Sequence, residues 1–596
     1  MNNKNEDNNK DVKLDTNTDD KSLIQKVNNH FKMPIYYNND KVELKTNIIN
    51  DLELINSIDA SSNPIYSYYF NNDNDISKKL IEQVSKYYTT DTFFLKDSQQ
   101  LLKTYQPNTS VYTNYSNNYK NILDIWTELK VDTGFKEKYC YIDMEMLEFL
   151  NKSELFLHFM SIYNLISPVF SLLVPIIILL VPFFIIKARG LEMTINEYIV
   201  ILKSIAQNNA IGKLFTVNFS EITSQEKTYM LVSAGFYLFS IYQNFMTCIK
   251  FHKNMTIIHN HFNEIKIYLE HTIPLMENYL SYSNDFVSYT EFNSTIREKL
   301  ESLNHIYYKI NRISEYNIYN INKIKELGHI FKYFYELHDD KTIDDALMFS
   351  LGFNGYIDCI KGLQQNIIER KVNYANFIKK SKKSNNSVIS NSYYACLKDT
   401  SPVKNDIKFK KNMIITGPNA AGKTTTLKST LINIIFTQQF GCGFYDSANL
   451  APFKYIHCYL NIPDTSGRDS LFQAEARRCK EILDIISAYK EDSHFCAFDE
   501  LYSGTNPEEA ESSASAFMKY ITKNSNVSCL LTTHFIKVCK KLDKNKNILN
   551  CHMVTKNINN KLEYTYVLKP GISEVKGGKN VLTEMNYPKE ILDDTN

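Results

Sequence analysis

The sequence predicts a molecule in two parts. The last third reads as an α/β domain, a mixed sheet flanked by helices, and it is preceded by a mostly α-helical region that contains hydrophobic membrane segments. Three observations carry this reading. After about residue 393, apolar strands alternate with helical runs, and two of those strands end in a glycine-rich turn or in paired carboxylates. From Phe159 to Ile186 no charged side chain occurs, a run longer than the ~20 apolar residues a helix needs to cross a hydrocarbon core. Between these regions lie apolar stripes at helical spacing that carry no catalytic group.

Composition bounds the reading. At 596 residues the chain is too long for one core, and length alone suggests roughly four units. Lys and Arg number 67 against 66 Asp and Glu, a net charge of +1. That balance excludes broad electrostatic coating of nucleic acid and leaves room only for a local basic groove. Eleven cysteines are scattered singly from Cys140 to Cys551, with no C-x-x-C and no zinc-finger spacing. A disulfide framework or structural zinc is therefore not expected, and a reducing compartment is. The first residues, Met1 to Lys21, have no apolar core, so they form no signal peptide and read as a disordered polar tail, 1–21.

Residues 22–151 mix Tyr-rich polar stretches with short apolar runs such as Phe93 to Leu95, and are expected to be mostly helical. Residues 152–250 read as a hydrophobic hairpin, with candidate transmembrane segments at 162–186 and 230–249. Pro168, Pro175 and Pro182 recur every seventh residue and fall near one helix face, drifting ~20° per repeat. Between the segments, Ile195, Tyr198, Leu202 and Ile205 have the spacing of an interfacial amphipathic helix. Residues 251–378 are lever-like and helical, with stripes at Ile258, Phe262, Ile265 and Leu269 and at Ile296, Leu300, Leu303, Tyr307 and Ile310. The Lys, Ser and Asn of 379–392 mark a linker, which places the α/β domain at 393–596.

The chemistry sits in that domain. An apolar strand runs into Gly417, Pro418, Asn419, Ala420, Ala421, Gly422, Lys423, Thr424 and Thr425, the G-x-x-x-x-G-K-[ST] pattern of a P-loop, followed by a helical run. The two glycines let backbone N–H groups wrap phosphates, Lys423 reaches the β- and γ-phosphates, and the Thr424 hydroxyl ligates Mg²⁺. The cofactors expected are therefore ATP and Mg²⁺. A second apolar strand ends at Asp499, suited to the metal shell, and Glu500, placed to activate water. A third ends at His534, in position to sense the γ-phosphate.

Four segments, TGPNAAGKTT (416–425), SGRDSLFQAE (466–475), FDELYSGTNPEEA (498–510) and TTHF (532–535), resemble the ATPase domain of the MutS family, in the family's order. The resemblance covers about 393–592 and implies an ABC/MutS-like P-loop NTPase that hydrolyses ATP as a homodimer. It also implies that Asn419 approaches the γ-phosphate and that Ser470 reaches the partner's nucleotide across the interface. The turn at Gly504, Thr505 and Asn506 would help couple the two sites. No mismatch-reading Phe-x-Glu is found near the N-terminus; Phe334-Tyr335-Glu336 has the letters but lies in the helical region.

Hydrophobic segments, then a helical lever, then this ATPase-like domain resemble the family's membrane-associated branch, which lacks the N-terminal mismatch-binding domain. The expectation is thus a membrane-tethered, dimeric ATP-hydrolysing switch, its ATPase facing the cytosol, with membrane lipid as partner. DNA binding in mismatch repair or another DNA transaction stays open. Two alternatives stand beside it: a soluble mismatch-repair ATPase whose apolar runs are core, and an ABC-type transport ATPase. Against the second, no L-S-G-G-Q precedes Asp499.

Overall fold

The computed structural model of the chain describes residues 25–59, 61–71, 74–106, 119–131, 134–190, 193–208, 223–314, 322–379, 385–460, 462, 470–558 and 561–575, with 582–583, 585, 587–588 and 590–591 near the end. The tail 1–21, and Ser466 to Asp469 of the quoted motif, lie outside these residues. By contact the chain divides into two compact units. The first comprises Met1–Leu23, Ser110–Ile273 and Glu301–Ala346, the second Ile24–Thr109, Pro274–Leu300 and Leu347–Asn596.

In its described residues the first unit is helical. An apolar helix spans Glu154–Ala188 and continues through Pro168, Pro175 and Pro182. Residues 230–249 do not form a separate segment: they belong to a single 60-residue helix, Ser224–Ser283. The two helices run antiparallel, since the Tyr237 hydroxyl donates to Ser171 O at 3.0 Å and the Cys248 thiol lies 3.8 Å from Leu165 O. A third helix, Ile195–Asn208, is fastened to the end of the first, where the Phe183 N–H donates to the Tyr198 hydroxyl at 3.0 Å. Most apolar side chains on this group stay exposed, Phe170, Leu172 and Phe184 on one helix and Phe236, Leu238 and Phe245 on the other. Among the described residues one helical window, Glu154–Leu173, is long and apolar enough to cross a membrane, with mean hydropathy 1.5. The side chains of 174–176, 178 and 179, within the expected segment 162–186, lie outside the described set. Elsewhere in the unit Phe334 is fully buried against Phe135, Tyr139 and Phe262, so Phe334-Tyr335-Glu336 is a packed helix and not a wedge.

All the strands among the described residues lie in the second unit: β1 (Lys41–Glu43), β2 (Tyr87–Thr89), β3 (Asn373–Phe377), β4 (Val388–Ser392), β5 (Asn405–Lys408), β6 (Asn412–Thr416), β7 (Cys442–Gly443), β8 (Ser447–Leu450), β9 (Tyr455–Tyr459), β10 (His494–Asp499), β11 (Val527–Thr533), β12 (Ile548–Ile558) and β13 (Lys561–Pro570). The main sheet has the order β13-β12-β6-β11-β10-β9, parallel throughout except for the β12–β13 hairpin. Its central strands are apolar on both sides because both faces are covered. On one face pack Cys479, Ile482 and Ile486 of helix Leu471–Ala488, Phe517 and Met518 of Pro507–Ile521, and Val538 of Ile536–Leu542. Helix Lys423–Phe440 covers the other.

A second sheet has the order β5-β4-β8-β3-β7. Its make-up differs from the expected boundaries. β3 falls within 251–378 and β4 within 379–392, yet both pair with β8, far along the chain. The Lys/Ser/Asn composition around 379–386 hid two short strands whose partners are non-local, which no local signal reports.

Candidate functional site

In an open sheet of parallel strands, ligand sites form outside the carboxyl ends of the strands. The register here puts three such ends together: Thr416 of β6 is paired with Thr533 of β11, and Thr532 of β11 with Asp499 of β10. The expected residues at these ends, distant in sequence, therefore share one edge. The turn 417–422 leaves β6 and opens helix Lys423–Phe440 with Gly422 at its N-cap. Gly422 has φ +92°, which favours glycine, and a Cβ there would press on the Tyr566 ring at 3.1 Å.

The Lys423 ammonium is buried, donating to Gly417 O at 3.0 Å and Pro418 O at 3.2 Å and lying 4.0 Å from the Glu500 carboxylate. Burial pulls its pKa below the usual lysine value, with Glu500 and Asp499 acting the other way. The Thr424 hydroxyl donates to Asp499 Oδ2 at 2.9 Å, and the Thr532 hydroxyl donates to Asp499 Oδ1. Glu500 follows in a left-handed conformation, φ +49°, its N–H donating to Thr532 O at 3.0 Å. His534 Nδ1 is 3.5 Å from Glu500 Oε1, and this bond holds the Glu500 carboxyl below the usual carboxylate range.

Asn419 to Thr426, Asp499 and Glu500 line a cleft of about 760 Å³, and His534, outside that lining, meets it through Glu500. The structure thus brings Lys423, Thr424, Asp499, Glu500 and His534 together, along with the turn. Ser470 is not among the cleft-lining residues. It is exposed and caps helix Leu471–Ala488 in a capping box with Gln473.

The sequence reading missed the opposite wall. Tyr566 lies on β13 at φ +56°, and Asn405 brackets it, donating to Tyr566 O at 3.0 Å and accepting from Leu568 N at 2.8 Å. With Tyr566, Met553, Tyr394, Pro402 and Val403 complete the wall. Ala420 also has positive φ, +62°, so three strained non-glycine residues, Ala420, Glu500 and Tyr566, line one cleft. Such strain persists only where the surroundings hold it, and it gathers at functional sites. Nothing in a single sequence marks Tyr566. Its position depends on the β12–β13 hairpin folding back over the turn, with a register shift between Met553 and Thr555.

Of residues 22–151, expected only to be mostly helical, segments between 25 and 105 seal helix Lys423–Phe440. Gln439 donates to Val84 O and Tyr87 O at 2.7 and 2.9 Å and accepts from the Tyr66 hydroxyl at 2.8 Å. Gln438 donates to Thr89 O, and Tyr69 stacks on Phe436 with ring centroids 3.7 Å apart.

Strand order, glycine turn and edge-clustered carboxylates define an α/β domain with its site at the carboxyl edge of a largely parallel sheet. Residues 413–596 match the family model described as MutS domain V, so this part of the chain is MutS-like. It is 30% identical over 188 residues to the DNA mismatch repair protein MutS of Parabacteroides distasonis, covering 31% of this chain and 21% of that protein. Over 195 residues it is 26% identical to the MutS of Leuconostoc mesenteroides, 32% of this chain and 22% of the relative. It is 28% identical over 194 residues to the Endonuclease MutS2 of Lactococcus lactis subsp. cremoris, 32% of this chain and 24% of the relative. The matched part thus spans about a fifth to a quarter of the length of these curated relatives.

Proposed function

We propose that the chain is a dimeric MutS-like ATPase, a P-loop switch tethered to a membrane. The observation that carries the catalytic part is the convergence of Lys423, Thr424, Asp499, Glu500 and His534 on one sheet edge beside a cleft of about 760 Å³. That volume is in the range of small-molecule and cofactor sites. The residues fit Mg-ATP: an oxygen pair, Thr424 and Asp499, suits a hard cation that takes one or two carboxylates and keeps phosphate and water as its other ligands. When bound, Mg-ATP supplies the scissile phosphoanhydride and the metal charge.

The chain's own groups divide the remaining work. Backbone N–H groups of 417–422 and the Lys423 ammonium hold the phosphates, and Asn419 approaches the terminal one. Glu500, kept ionised by His534, accepts a proton from the attacking water. Tyr566, beside Gly422, offers a flat face for the base. Ser470, exposed and outside its own cleft, reaches the partner's site, which makes the working unit a dimer.

The exposed apolar surface of helices Glu154–Ala188 and Ser224–Ser283 favours lipid as the second partner, with the ATPase on the cytosolic side. A role in mismatch repair or other DNA processing rests on the names of the relatives alone. The ABC-transport reading has no comparable support.

The test is ATP turnover by the full chain in detergent. Lys423→Ala should abolish binding, and Glu500→Gln should bind and trap ATP. Wild-type turnover in Glu500→Gln would remove Glu500 from its role. Salt-dependent retention on mismatched against matched duplex tests the DNA arm.

A further inference from the structure

Glu475 is a buried carboxylate, 3% exposed, on helix Leu471–Ala488. Its partners lie on the loop that follows Glu500: the Ser503 hydroxyl donates to Oε1 at 3.1 Å and the Gly504 N–H to Oε2 at 3.2 Å. The Tyr459 hydroxyl also hydrogen-bonds Glu475 and accepts the Tyr502 N–H at 3.2 Å. The same loop is pressed against the start of the helix. A Cβ on Gly504 would stand 2.6 Å from Leu471 Cγ, and the Phe472 and Tyr502 rings are 5.7 Å apart. Glu500 and Tyr502 both hold left-handed backbone, at φ +49° and +61°, so the loop has little freedom to drift once it is anchored.

We infer that Glu475 is a positioning residue that locks the loop behind Glu500 to the first turns of the helix capped by Ser470. The inference rests on the proposed dimeric ATPase, in which Ser470 engages the partner's nucleotide. A buried carboxylate is costly unless every lone-pair direction is used, and here hydroxyl and amide donors use both oxygens. The result is a directional joint rather than a greasy contact. Movement of Ser470 and its helix is carried to Gly504, four residues from Glu500, and so sets where the Glu500 carboxylate points. Dimer engagement and hydrolysis are linked through this one side chain.

The full-length chain in detergent tests this with Glu475→Ala, Glu475→Gln and Gly504→Ala. Glu475→Ala should keep KM for ATP within about twofold while kcat falls on the order of 10²-fold, the cost of a small misplacement of a reacting group. The rise of wild-type turnover with protein concentration should vanish as well. Glu475→Gln should restore both, because its amide accepts from Gly504 N–H while Ser503 turns to accept. Gly504→Ala, which forces loop and helix apart by a different route, should reproduce Glu475→Ala. Wild-type kcat in Glu475→Ala would overturn the inference. So would a raised KM together with a lower kcat and a lower unfolding midpoint, the mark of a plain structural role. A wild-type chain that fails to hydrolyse ATP would overturn both this inference and the proposed function, whereas coupled turnover in the wild type with an unaffected Glu475→Ala overturns the inference alone.

Discussion

Helix Lys423–Phe440 is rich in Thr, Ser, Asn and Gln, while helix Glu154–Ala188 is apolar along nearly its whole length. From Ser429 to Gln439 every side chain of the first is buried; on the second, Phe159, Phe170, Leu172 and Phe184 are each more than half exposed. The polar helix can be interior because its amides are matched one by one. Asn433 donates to the Ser392 hydroxyl, Tyr393 O and Phe444 O and accepts from Phe444 N, and Gln438 donates to Phe453 O and accepts from Phe453 N. Among the described residues most of the large side chains on the apolar helix lack such cover, and the proposed lipid contact would need none. Composition reports what a side chain tolerates, and partners decide where it ends up.

The largest effect expected from breaking this contrast is on the apolar side. Leu172→Lys with Phe236→Lys should release the chain from liposomes in a flotation assay, since each charge costs about 2.5–3.5 kcal/mol at a bilayer centre. If wild-type chain is recovered soluble without detergent, the exposed surface is not a lipid face.

On the polar side, Asn433→Leu keeps the volume but strands the Phe444 N–H, the Tyr393 carbonyl and the Tyr69 hydroxyl, while Phe444 O keeps the Tyr393 N–H. Unsatisfied buried groups cost about 1–3 kcal/mol each, so the urea midpoint should fall steeply, by about 3 kcal/mol or more. An unchanged midpoint would mean that the helix is held by its apolar residues alone.

Tyr198→Phe is a smaller cut, at one of the polar fastenings of the apolar helix, which the Tyr237 hydroxyl also holds at Ser171 O. Loss of the acceptor for Phe183 N–H, about 1 kcal/mol, should speed hydrogen exchange at that amide severalfold and leave its neighbours unchanged.

The smallest effect concerns the segment that covers the polar helix. Burial raises Asp51 from 3.8 to about 6, offset in part by Arg478 and Lys428. The native state therefore keeps a proton that the unfolded chain releases between those values, so stability declines as pH rises through this window and is flat above it. Asp51→Asn removes the decline. It should raise the urea midpoint slightly at pH 7, with the gain vanishing below about pH 4.

How much was legible follows the same division. Gly417 to Thr425, Asp499, Glu500 and His534 were readable because each stands at a strand end, where the chemistry needs fixed residue types in a short local pattern. Tyr566, Met553 and Asn405 were not, because they reach the cleft only through the β12–β13 hairpin and its contact with β5. β3 and β4 were absorbed into flanking segments, since a short strand is defined by a partner dozens of residues away.

Sequence by itself determined the glycine turn, the paired carboxylates and the uncharged run from Phe159 to Ile186, all of them local patterns with a local physical cause. Tertiary structure alone decided that a helix full of amides lies in the interior and that residues 25–105 are what seal it. It also decided that Glu475 is joined to the loop behind Glu500. Those outcomes rest on directional hydrogen bonds between segments far apart in the chain, and such pairings exist only once the backbone is in place.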